Sequence, residues 1–141
     1  ERNICFLIQL IRPNISTYFC SMDYELEIRF QQLKRHLEST HGEGMDVQAI
    51  LFLIGVNELG TGQTEYSKSQ KTDLFHIAIC TLLEPYGYYE FVGNDEENWP
   101  HFKLIKELPP LNHQEQQYLM KEAMLDYFIR NGYYQEGEIS T

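Results

Sequence analysis

Tyr88-Tyr89-Glu90-Phe91-Val92, then Gly93-Asn94-Asp95-Glu96-Glu97-Asn98, then Trp99-Pro100-His101-Phe102-Lys103-Leu104-Ile105: this stretch decides the fold class. Its first segment is rich in strand formers. Its second is turn chemistry, and in its third Phe102 and Leu104 alternate with His101 and Lys103. The pattern predicts a β-hairpin with a long acidic tip, at about residues 88–106, inside a chain that elsewhere reads as helix.

Working outward, the segments on both sides have helical periodicity. On the N-terminal side, Leu26, Phe30, Leu33 and Leu37 recur at spacings of four, three and four, a single apolar stripe on a helix over residues 23–39. His41-Gly42-Glu43-Gly44 breaks it. Asp46 is placed to cap a second helix that Gly60 ends. Its centre, Ile50-Leu51-Phe52-Leu53-Ile54, is apolar on every side and predicts a central helix covered all round. Ser67 with Gln70 is a capping-box pattern opening a third helix, which Pro85 and Gly87 terminate. Beyond the hairpin, Asn112 with Glu115 opens a fourth helix to about Arg130, striped by Met120, Ala123, Met124, Tyr127 and Phe128. The expected class is therefore mainly α: one domain over residues 22–131, with four helices and the hairpin between the third and fourth. The acidic stretch 132–141 reads as a mobile tail.

Three helices followed by a hairpin also resemble, in topology, the winged-helix arrangement, an α+β alternative. That resemblance implies a regulator whose third helix enters DNA and whose hairpin forms a wing. Its chemistry here is opposed. The third helix offers only Lys68 and Lys71 at its start, and the wing tip would present Asp95, Glu96 and Glu97 to phosphates.

Charge points the same way. The 141 residues hold eleven Lys plus Arg against twenty-one Asp plus Glu, a formal charge of −10, which disfavours nucleic acid as a partner. No apolar run has the length that spans a bilayer. Cys5, Cys20 and Cys80 are odd in number and lack CxxC spacing, which excludes a disulfide scaffold and predicts a reducing, cytoplasmic compartment. The run Ile4 to Ile11 resembles a signal-peptide core, but Gln9 interrupts it and no small-residue cleavage site follows. Composition changes at Met22, so residues 1–21 are expected to be an extension outside the main domain.

Two sets of residues are candidates for function. Asp73, His76 and Cys80 fall on one face of the third helix, and carboxylate, imidazole and thiolate are all ligands for Zn or Fe. Glu122 and Asp126, at i, i+4 on the fourth helix, could complete such a site. The bland alternative puts Asp73 and His76 on the wetter side of the helix with Cys80 as a small apolar filler. The second set is Tyr86, Tyr88, Tyr89 and Trp99 around the hairpin, with Asp95, Glu96 and Glu97 at its tip. Tyr and Trp combine contact area with a polar handle, so some of the tyrosines are expected at the surface, with Phe91, Trp99 and Phe102 mainly in the core. The glycines of Gly55 to Gly62 lack the Lys-Ser/Thr pair of a phosphate loop, and no nucleophile elbow or HExxH occurs. The expectation is thus a non-enzymatic module that binds a protein partner or itself, without a cofactor, with a metal-binding protein or enzyme as the competing reading.

Overall fold

Local signals form the helices at the positions the sequence marks. The structure, a computed structural model, describes residues 16–137, with side chains from Tyr24 onward. Along these residues run α1 (Ser16–His41), α2 (Val47–Leu59), α3 (Lys68–Leu83), strands β1 (Tyr89–Asn94) and β2 (Pro100–Leu104), and α4 (His113–Arg130). The class is mainly α with an antiparallel hairpin between the third and fourth helices, as expected. No helix among the described residues is long and apolar enough to cross a membrane.

Each cap works by supplying an acceptor to helix N–H groups that have no intrahelical partner. Asp46 Oδ1 accepts from the Ala49 N–H at 2.8 Å, and Asn112 Oδ1 from Glu115 at 2.8 Å. Ser67 forms the full capping box. Its hydroxyl accepts from the Gln70 N–H at 3.1 Å while its own N–H donates to Gln70 Oε1 at 2.9 Å. Gly60 closes α2 in the left-handed region at φ 65°, where its N–H reaches the Val56 carbonyl. α1 differs at its start. It begins at Ser16, before the compositional change at Met22, while the Ile4 to Ile11 run lies outside the described residues.

The chain divides into two compact units, one from residues up to 43 together with 110 onward, the other residues 44–109. In the first, α1 packs on α4. The stripe Leu26, Phe30, Leu33 and Leu37 is buried, as are Tyr118, Leu119, Ala123, Met124, Leu125, Tyr127 and Phe128 of α4. The Lys121 ammonium pairs with Glu27 and lies 5.3 Å from the Phe30 ring centroid. That hydrogen bond, with a second from Gln31, holds the Glu27 carboxyl below its usual value. Farther along α1, His36 Nε2 is 3.1 Å from the Tyr133 carbonyl. Contacts that rise together in sequence mean the two helices run in the same direction, which requires a long crossover, and residues 44–109 supply it. The chain beyond residue 131 does not leave α1 at once: Tyr134 is buried with its ring 5.1 Å from His36, and Arg29 Nε donates to Glu136 at 2.9 Å. Within residues 132–137 the Tyr134 ring and the Glu136 carboxylate thus contact α1, while the residues around Tyr134 are exposed; 138–141 lie outside the described residues.

In the second unit α2 packs on α3, and the hairpin packs on α3. Here the expectation of a helix covered all round needs correcting. Ile50, Ile54, Gly55 and Leu59 are buried, but Leu51, Phe52 and Leu53 are only half-buried. Composition shows that a helix is apolar; it does not show how many neighbours arrive. The closest neighbour comes in at Gly55. A Cβ built there would lie 2.4 Å from the Leu74 carbonyl oxygen and 3.1 Å from Leu74 Cβ. Gly55→Ala should therefore destabilise the protein by about 2 kcal/mol, because forced overpacking costs roughly 1–3 kcal/mol or more. It should do so although alanine favours an isolated helix by about 1 kcal/mol. Urea denaturation beside Asn57→Ala, exposed on the same helix, tests this: equal stability of the two variants would mean the helices are not in close approach.

Candidate functional site

The site begins with the register of the hairpin. Tyr89 pairs with Leu104, Glu90 with Lys103 and Phe91 with Phe102; Gly93 then pairs with His101, leaving Val92 as a bulge. Directly opposed residues share a face, so Tyr89, Phe91, Phe102 and Leu104 lie together. The Phe91 and Phe102 rings meet edge to face at 5.6 Å. The face is turned toward α3 at one end, where Tyr89 meets His76 at 6.4 Å between ring centroids. Along β1, the Glu84 carboxylate accepts the Phe91 N–H at 3.0 Å.

Asp95 organises the tip. Its Oδ1 accepts from the N–H groups of Glu97 and Trp99, each at 2.9 Å, and its Oδ2 lies 2.9 Å from His101 Nε2. A carboxylate read from sequence as solvated turn chemistry is thus the fastener of the turn. The hydrogen bond from His101, then that from the Trp99 N–H, hold its carboxyl below the ordinary aspartate value of 3.8. Since the folded value is the depressed one, Asp95 contributes its stabilisation above pH 3.8 and loses it as pH falls through the folded value. In a carboxyl-carbon NMR titration the Asp95 midpoint should lie below 3.8, and His101→Ala should raise it. An unchanged midpoint would show that the imidazole does not hold this carboxylate.

Between α3 and the hairpin lies a cleft of about 270 Å³, lined by Gln70, Asp73, His76 and Ile77 from the helix and by Asp95, Glu97, Trp99, Pro100, His101 and Phe102 from the hairpin. The capping box sets Gln70, one helical turn sets Asp73 and His76, and the Asp95 turn sets Glu97 and Trp99. Two candidates of the metal set, Asp73 and His76, are exposed and line this cleft. The third, Cys80, is fully buried with Sγ 3.6 Å from His76 Nε2, and burial pushes its thiol up to about 11. It is therefore protonated at neutral pH, and a metal would have to displace that proton to be ligated by it. Glu122 and Asp126 belong to α4, where Asp126 pairs with Arg130 at 3.4 Å. Among the described residues no group of three or more His, Cys, Asp or Glu side chains is placed to hold a metal ion.

The aromatic candidates divide differently from the sequence reading. Tyr86, Tyr88, Tyr89 and Trp99 are half-buried, and the Lys106 ammonium lies 5.7 Å over the Tyr88 ring. The exposed positions are Phe91 at 47%, Val92 at 59%, Leu104 at 49% and Ile105 at 52%, beside the exposed Asp95, Glu96 and Glu97. Phe91 is thus at the surface, not in the core. Sequence reasoning missed this apolar group and also His101 as a cleft residue. The available signal was the length of the tip, which settles the register and with it the pairing of Phe91 with Phe102.

The chain matches no family model, and neither a curated protein nor a solved structure matches it.

Proposed function

We propose that this protein acts by binding another protein through the hairpin of residues 88–105, without catalysing a reaction. One observation carries the reading: Phe91, Val92, Leu104 and Ile105, four large apolar residues of one small hairpin, are each 47–59% exposed. Single exposed apolar side chains are ordinary, whereas grouped ones mark contact surfaces. The acidic tip beside them suits a polar rim that steers a partner of opposite charge.

The test is a double variant, Val92→Ser with Ile105→Ser. Both positions face solvent, so the fold should change in stability by no more than about 1 kcal/mol. A partner captured from native extract, identified by mass spectrometry and rebound as a purified protein, should bind the variant at least about tenfold more weakly, since interface anchors often contribute 2 kcal/mol or more. Equal binding by both proteins would overturn the reading. So would stoichiometric Zn or Fe in protein purified without tags or chelators, if His76→Ala abolished it, because Asp73 and His76 would then serve a metal.

A further inference from the structure

We infer that the hairpin surface is shaped for a basic, apolar segment of a partner protein, one of whose arginine side chains enters the cleft beside Trp99. This rests on the protein-binding reading and specifies its partner. Continuity is the first support. Phe102 lines the cleft and meets the exposed Phe91 edge to face, while Leu104 follows on the same face of β2, so the cleft continues into the Phe91 and Leu104 part of the apolar group. Charge complementarity is the second. Asp73 and Glu97 open onto the cleft with no ion-pair partner among the described residues, and residues 44–109 hold ten acids against four Lys plus Arg. Such a surface repels anions and attracts cations. Among the described residues no group of three His, Cys, Asp or Glu side chains is placed to hold a metal ion. A guanidinium suits the cleft better: it is planar, weakly hydrated, stacks on an indole face and offers several donors to carboxylates.

Trp99 is the chain's single tryptophan, so its fluorescence reports on the cleft directly. The full chain is titrated with N-acetyl-arginine amide and, in parallel, with N-acetyl-citrulline amide, the neutral isostere. Arginine should change the emission saturably and citrulline should bind at least tenfold more weakly. Added salt, Asp73→Asn and Glu97→Gln should each weaken the arginine response, because exposed charges are screened. Equal responses to the two compounds, or an arginine response indifferent to both substitutions, would overturn the proposal. Val92→Ser with Ile105→Ser should leave the arginine response intact while weakening partner binding. Loss of the arginine response with partner binding still dependent on Val92 and Ile105 would sink the cleft assignment alone. Sedimentation of the chain by itself covers the remaining occupant: dimers that Val92→Ser dissolves would assign the face to a second copy and overturn the basic segment.

Discussion

Ile54→Asp is expected to abolish cooperative thermal unfolding of the protein, while Leu53→Asp, one residue earlier, leaves a folded and measurably weakened molecule. The two positions carry similar apolar side chains on the same helix, but Ile54 is 0% exposed and Leu53 is half-buried. Aspartate at 54 would bury a charge with no partner, at a cost of several kcal/mol after relaxation, comparable with the whole stability of a small protein. At 53 the carboxylate can turn to water, so the cost is the lost apolar contact, on the order of 1 kcal/mol. Circular dichroism melts of both variants separate the cases. A cooperative transition for Ile54→Asp near the wild-type temperature would show that the buried side of α2 is misassigned.

Phe128→Ala should cost about 3–5 kcal/mol, the usual range for removing a buried aromatic ring. Phe128 is 1% exposed, and its ring meets Tyr127 at 5.2 Å and Tyr133 at 6.3 Å. Its carbonyl also accepts the N–H groups of Tyr133 and Tyr134, so the packed ring and the start of the C-terminal segment are held at one point. Ile129→Ala, the next residue and 37% exposed, should cost less than about 1 kcal/mol. Urea denaturation with an unchanged m-value is the check, and a loss at Phe128 no greater than at Ile129 would remove it from the core. In the Phe128 variant the Arg29–Glu136 pair should also loosen, seen as faster amide exchange at residues 133–136.

What was legible in the sequence was what neighbouring residues settle among themselves. Asp46, Ser67 and Asn112 cap helices because their side chains reach an N–H three residues on, and Leu26, Phe30, Leu33 and Leu37 share a face because of the helical repeat. The hairpin was legible for the same reason, from strand formers on either side of turn chemistry. Tertiary structure alone decided the rest. It set Gly55 against the Leu74 backbone, where a residue poor in helix propensity is needed for a close approach that the sequence does not show. It brought Asp73 and His76 of α3 opposite Trp99 and His101 of the hairpin to make the cleft, and sent Cys80 into the core instead. It exposed Phe91 while half-covering the tyrosines, and joined Arg29 to Glu136 across almost the whole described chain. Periodicity records which residues are apolar and which face they share, whereas burial and contact depend on which distant segment arrives at that face.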